Sequence, residues 1–177
     1  MASSKSNATE TEAAKVARTY FGAIAARDAD AIAAFYAPGA VDRLVGMTEL
    51  SAPDDVREWF EGLFAAVPDF SIEVLEVVAE GEHAAVRWLS QGTFDGTGSF
   101  EGVAPTGATL EVEGFDLLTV RDGQVVSNQA YLNGLDLARQ MGVLPPAGSL
   151  VDRAMLAGTN ARTAALGRIR GLLDRDR

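Results

Sequence analysis

Acid–base chemistry in this chain has to rest mainly on carboxylates and tyrosines, with amides and arginines as hydrogen-bond donors, because other reactive side chains are scarce. The 177 residues include no Cys and a single His, His83. Disulfide scaffolds, thiolate zinc sites, iron–sulfur clusters and cysteine nucleophiles are thereby excluded, as are multi-histidine metal sites. A Ser-His-Asp triad would depend on His83 alone. That residue follows a Glu80-Gly81-Glu82 turn, where an exposed hairpin residue is expected. The acids Asp54, Asp55, Glu58 and Glu61 read as the solvated face of a helix, without a metal role. The stretch Asp95–Gly107 is rich in glycine but does not open a helix with Gly-x-Gly-x-x-Gly, and no Walker Lys follows it. It reads as a flexible loop at a pocket mouth. The pair Asp42-Arg43 is more suggestive: its Arg either holds a carboxylate or stabilises an enolate, or else pairs with a neighbouring acid. Trp59 and Trp88 have the spacing of core or pocket-wall residues.

These side chains must be placed by secondary structure, and the apolar periodicity indicates which. A Thr9-x-x-Glu12 capping box opens a helix over about 12–27, with Ala13, Val16, Ala17, Tyr20, Phe21 and Ile24 on one face. Asp28 or Asp30 caps a short second helix carrying Ile32, Phe35 and Tyr36, ended by Pro38. A short strand is expected near 40–45. Ser51-Ala52-Pro53-Asp54-Asp55 starts a third helix, striped by Val56, Phe60, Leu63 and Val67. From Phe70 the period changes from 3.6 to 2. Strands are expected from 71, over 84–93, over 109–120 and over 124–132, with an Arg121-Asp122-Gly123 hairpin before the last. A short helix over 135–141 ends at Gly142, and Pro145-Pro146 breaks the chain. Helices followed by an antiparallel meander make an α+β domain with helices on one sheet face. The expected division is a disordered tail over 1–8, the domain over 9–147 and a cationic amphipathic helix over 148–177.

The net charge of −10 opposes nucleic-acid binding. It is unevenly spread: residues 150–177 hold six Arg and three Asp, and the remainder nine basic and 22 acidic residues. A cationic helix on an acidic body is expected to dock on that body or on a partner subunit. No apolar run reaches the roughly 18 residues of a membrane span, and the N-terminus has no signal-peptide core, so a cytoplasmic protein is expected.

Several ordered motifs then carry a resemblance. They are Ala66-Val67-Pro68-Asp69 after the third helix, and Arg87-Trp88 with Gly92-Thr93 in the second of the four strands. Gly102-Val103-Ala104-Pro105-Thr106-Gly107 precedes the third, Val120-Arg121-Asp122-Gly123 forms the hairpin, and Leu137–Pro145 closes the domain. In this order and spacing, over about 12–147, the chain resembles the SnoaL-like polyketide cyclases ("ester cyclases") of the nuclear-transport-factor-2-like superfamily. The resemblance implies a cone-shaped barrel, in which a curved antiparallel sheet is wrapped by N-terminal helices around an apolar pocket, often in a homodimer. It implies no cofactor. The activity implied is a cyclase or isomerase working by proton transfer next to a carbonyl of an apolar, oxygenated, polyketide- or steroid-like substrate. The superfamily also contains epoxide hydrolases, dehydratases and proteins without catalysis.

In the family's cyclases an acid/base Asp lies nine residues before the Gly that ends the last motif; counting back from Gly142 places Asn133 there. An amide cannot act as a general base. Asn133 either hydrogen-bonds a carbonyl or enol, or caps the helix that follows. The family's His of the preceding strand corresponds to Thr119, and relatives often place a His where Arg43 stands. Tyr20 lies on the helix whose counterpart can supply a pocket tyrosine. If Asn133 faces the pocket, Tyr131 and Gln129 share its face, Phe115, Leu117 and Thr119 join from the adjacent strand, and Asp116 points away. Two readings remain. In one, Tyr131, Asn133 and Arg43 polarise a substrate oxygen, Asp42 is the nearest candidate base, and Tyr20, Trp88, Phe115, Leu117, Thr119 and Gln129 line the site. In the other, the same fold is a non-catalytic ligand-binding or assembly module.

Overall fold

The structure is a computed structural model that describes the backbone of residues 10–173 and the side chains of 10–166. The expected tail over 1–8 and Thr9 of the capping box lie outside the described residues. Thr11 is the residue that caps α1 (Glu12–Ala26), its hydroxyl accepting from the Ala14 amide at 3.2 Å. One face of α1 buries Ala17, Tyr20, Phe21 and Ile24; burying a large apolar side chain stabilises by about 1.5–3 kcal/mol. The helix stops at Arg27, which is left-handed at φ 58°. Its guanidinium donates to the carbonyls of Pro68 and Phe64 and lies over the Phe64 ring.

Asp28 caps α2 (Ala29–Ala34) through the Ala31 amide at 2.9 Å. The helical pattern expected to reach Tyr36 ends earlier, because Pro38 drives the residues before it to extended backbone. Tyr36 instead begins β1 (Tyr36–Leu44), which pairs with β2 (Thr48–Ser51). Next comes α3 (Asp54–Ala66), with Asp54 and Asp55 at its positive end. The meander follows as β3 (Ser71–Glu80), β4 (His83–Phe94), β5 (Ala108–Arg121) and β6 (Gln124–Leu132), and the chain closes with α4 (Gly134–Gln140) and α5 (Leu150–Leu173). Between β5 and β6, Asp122 and Gly123 both have positive φ, 50° and 75°, the backbone twist a two-residue hairpin requires.

The six strands form one sheet in the order β2-β1-β6-β5-β4-β3. It is antiparallel except that β1 and β6 run parallel, which makes the sheet mixed rather than wholly antiparallel. Parallel neighbours are never joined by a hairpin, so no local turn signal marks that pairing. Helix α1 packs against β3, β4 and β5, and α3 packs against α2 and β2. The core between helices and sheet is built on Tyr20, Phe21, Ile32, Val56, Val86 and Leu118. A second cluster, Ala66, Val67, Phe94, Phe100 and Met141, lies where the 95–107 loop and the end of α4 meet. No described helix is long and apolar enough to cross a membrane. On α5, every side chain from Arg153 to Leu166 is exposed, so the expected docking of this helix on its own body is not observed.

Candidate active site

Four neighbouring strands aim polar side chains at the concave face. Asp42 on β1 is in register with Asn128 on β6. On β5, Asp116 sits two residues before Leu118, the partner of Asn128, and Trp88 on β4 is opposite Gly114. The result is a row, Asp42–Asn128–Asp116–Trp88. The Asn128 Nδ2 donates to Asp42 Oδ1 at 3.2 Å and to Asp116 Oδ2 at 2.8 Å, and Trp88 Nε1 donates to Asp116 Oδ1 at 2.8 Å. The row continues into the helical layer. Tyr36 Oη donates to Asp42 Oδ2 at 2.6 Å and lies 2.9 Å from the Tyr20 hydroxyl. Gly114 makes room for this arrangement: a Cβ there would fall inside the Trp88 indole.

The row is dry. Asp42, Asn128 and Asp116 are 3%, 1% and 5% exposed. Burial, and then the charge of Asp42, push Asp116 up from 3.8 to about 7, against the hydrogen bonds from Asn128 and Trp88. Burial also raises Asp42, opposed by the hydrogen bonds from Tyr36 and Asn128. Both tyrosines are held well above their usual value, chiefly by burial, and so stay neutral donors. Asn128 Oδ1 is buried and has no hydrogen-bond partner.

The row forms one wall of a cavity of about 120 Å³, whose other walls are mostly apolar and aromatic, with Ser90 and Gln91 the further polar residues. Trp59, Phe60 and Phe100 face it from α3 and the 95–107 loop, and Leu137 and Met141 from the α4 end. The loop is tied down by Trp59 Nε1, which donates to Glu101 Oε1 at 2.8 Å. Helix α4 is tied to β5 by Gln140, which accepts from the Glu111 amide at 2.8 Å and donates to the Glu111 carbonyl at 2.9 Å. No described Lys, Arg or His lines the cavity, and no cluster of metal-ligating residues occurs among the described residues. Such a space suits a neutral, flat, mostly apolar molecule with oxygen at one end.

Of the residues expected to form the site, the structure brings Asp42, Tyr20 and Trp88 to the cavity. The others lie outside it. Arg43 is on the opposite face of β1, paired with Glu49 at 2.8 Å. Tyr131 donates to Gln129 at 3.1 Å and lies near Phe115, all three on the outer face of the sheet. Thr119 meets the exposed His83 at 3.3 Å on that same face, and Leu117 shares its parity. Asn133 takes the capping alternative, its Oδ1 accepting from the Asp136 amide at 3.1 Å.

The expected facing of β5 and β6 is therefore inverted. Its anchor, Asn133, lies beyond the end of β6. The better anchor is within β5: Glu111 and Glu113 must face water, so Phe115, Leu117 and Thr119 share their side, and Asp116 falls among Val112, Leu118 and Val120 on the core side. An Asp on an otherwise apolar strand face is itself a signal. Asn128 and Tyr36 carry no comparable mark in the sequence.

Comparison with known proteins places this architecture. The model of the SnoaL-like polyketide cyclase family matches residues 14–141. No curated protein matches the chain. Among solved structures, AclR from Streptomyces galilaeus, described as a proposed hydroxylase, is similar at 27% identity with a TM-score of 0.67, covering 90% of this chain and 96% of that one. IdmH, a proposed polyketide cyclase from Streptomyces antibioticus, is similar at 25% identity with a TM-score of 0.59, over 75% of this chain and 99% of that one. A protein from Catenulispora acidiphila with a ketosteroid isomerase-like fold shares the fold at 14% identity, with a TM-score of 0.61 over 72% and 92% of the two chains. With the family model spanning most of its length, this chain belongs to the SnoaL-like polyketide cyclase family.

Proposed function

We propose that the protein is a cofactor-independent cyclase or isomerase that moves a proton next to a carbonyl of a neutral, apolar, polyketide- or steroid-like compound. One observation carries the reading: Asp42 and Asp116 are buried at the wall of an apolar cavity and bonded to the same amide nitrogen, with Asp116 raised to about 7. Two carboxyl groups held this close cannot both ionise cheaply, so near neutrality one keeps its proton. Asp116, with its value near 7, is the group that holds it. Asp42, whose anion accepts from Tyr36 and Asn128, is the base. Asp42 takes the proton from the carbon beside the carbonyl, the electron pair moves to the oxygen, and Asp116 protonates that oxygen. The enol is then protonated by Asp42 at a conjugated carbon, or attacks a second carbonyl whose oxygen takes the Asp42 proton; in either case the first carbonyl re-forms as its O–H returns its proton to Asp116. Tyr36 and Tyr20 hold Asp42 in place and give its proton a hydrogen-bonded neighbour. Membership of the cyclase family and the resemblance to IdmH support the reaction class.

The test is turnover of a panel of neutral carbonyl compounds, including an anthraquinone-type methyl ester, by the wild type and by Asp42→Asn and Asp116→Asn. Loss of at least about 100-fold in each variant is expected from removing a general acid or base. Saturable binding without turnover anywhere in the panel would overturn catalysis in favour of ligand binding.

A further inference from the structure

At about 120 Å³ the cavity is near the roughly 150 Å³ that holds a benzene ring, and below the roughly 300–1,000 Å³ of sites that enclose larger ligands. A compound of fused rings, the kind the proposed reaction calls for, needs one wall to give way. Most of the walls are fixed. The sheet is hydrogen-bonded strand to strand, α1 packs across β3, β4 and β5, α3 packs on α2 and β2, and α4 is tied to β5 through Gln140. The remaining wall is Phe100, at the tip of the 95–107 loop.

This loop has a rigid root and a tip that stands alone. At the root the amides of Gly96 and Thr97 donate to the carbonyls of Ala66 and Ala65 at 3.0 and 2.8 Å, and those of Thr106 and Gly107 to the Phe94 carbonyl at 3.0 and 2.8 Å. Gly96 lies so close that a Cβ there would be 1.9 Å from the Ala65 carbonyl oxygen. The tip is a two-residue turn. Phe100 and Val103 exchange both backbone hydrogen bonds, at 3.0 and 2.9 Å, and Glu101 and Gly102 between them have φ of 50° and 77°. Such turns favour Asn, Asp or Gly where Glu101 stands, so the backbone does not account for a Glu. Its carboxylate does: Oε1 accepts from Trp59 Nε1 at 2.8 Å, the one hydrogen bond from 98–105 to the rest of the molecule among the described residues. The Phe100 ring is 9% exposed and meets the Trp59 ring edge-on, with centroids 5.2 Å apart. Gly98, at φ 80° and with nothing within 4 Å of where a Cβ would stand, gives the tip a hinge beside the root.

We propose that Phe100 is the gate that sets the size of molecule reaching Asp42 and Asp116. With the loop shut, its ring plugs the cavity and leaves room for a single ring beside the carboxylates. Release of Glu101 from Trp59 frees the tip to turn on Gly98, and the space Phe100 vacates admits a compound of two or three fused rings. This gate rests on the reading of the cavity as a substrate site, and binding tests it apart from turnover.

The test is stopped-flow quenching of Trp59 and Trp88, both at the cavity, by three neutral ketones that differ in ring number: acetophenone, acetonaphthone and acetylanthracene. In the wild type the one-ring ketone should bind at a rate that rises linearly with its concentration, while the rate for the three-ring ketone levels off at the rate of opening. Phe100→Ala and Glu101→Gly should each speed binding of the three-ring ketone by at least about 10-fold and leave acetophenone within about 2-fold. Glu101→Gly suits the left-handed backbone at an exposed position, so it carries the test if Phe100→Ala fails to fold. Glu101→Gln, which keeps an oxygen for Trp59, should bind at wild-type rates. Equal, linear rates for all three ketones in the wild type overturn the gate, as do variants that leave the three-ring rate unchanged. So does binding of acetophenone alone by both wild type and Phe100→Ala, which would make this a one-ring site. Gated binding with no turnover on the carbonyl panel overturns the reaction and upholds the gate; turnover with ungated binding does the reverse, and no binding of any ketone overturns both.

Discussion

Replacing Asp116 by Asn should flatten the pH dependence of stability, and the structure sets the size of the effect. In the folded chain burial and the nearby Asp42 raise this carboxyl from 3.8 to about 7. The native state therefore keeps a proton that the unfolded chain gives up. Stability is untouched below the unfolded value, falls as pH rises between the two values, and bears the full cost above the folded one. A gap of roughly three units at about 1.4 kcal/mol each puts the ceiling near 4 kcal/mol. Between pH 5 and pH 8.5 about two of those units are crossed, or about 3 kcal/mol. The Asp116→Asn variant has no such titration. It would still lose one hydrogen bond, since the introduced amide would face the N–H of Trp88 or of Asn128, at about 1–3 kcal/mol independent of pH. Urea unfolding of both proteins at the two pH values measures the difference. Parallel losses in wild type and variant would refute the claim that Asp116 holds a proton in the folded state.

Asn133→Asp should leave turnover unchanged and stability within about 0.5 kcal/mol, since Asp caps a helix as well as Asn; a gain in rate on the carbonyl panel would contradict the placement of this residue outside the cavity. Gly114→Ala should push the Trp88 indole off Asp116, costing about 1–3 kcal/mol and shifting tryptophan emission, both readable in one denaturation series; unchanged emission would refute the close approach. Tyr36→Phe removes a hydrogen bond that lowers the Asp42 value, so the acidic limb of the pH–rate profile should move to higher pH, with about 1–3 kcal/mol lost from stability. A profile that stays in place would separate Asp42 from the base role.

Helix order, the four-strand meander and the Asp122-Gly123 hairpin are legible in the sequence because they depend on contacts a few residues apart. Period 3.6 against period 2, the capping power of Asp28 and the positive φ available at Asp-Gly are local properties. The helix cap, by contrast, shifts from Thr9 to Thr11, since neighbouring threonines offer the same hydroxyl to different amides. The family is legible too, through motifs at turns and helix ends, where backbone geometry restricts residue choice.

The site is less legible. Asp42, Tyr20 and Trp88 stand out in the chain, while an alternation counted from a residue past the strand end puts Asp116 on the wrong face. Asn128 is an unremarkable amide in the chain, and Tyr36 lies on a helical pattern that Pro38 cuts short. The sequence by itself determined the kinds of elements, their order and the chemistry left open once cysteine and all but one histidine are missing. Only the tertiary structure decided which carboxylates meet. The parallel register of β1 with β6 sets Asp42 beside Asn128 across 86 positions of chain, and β5 brings Asp116 to the same amide. Strand pairing over such separations is chosen by burial of whole sheet faces, which no short stretch of residues encodes.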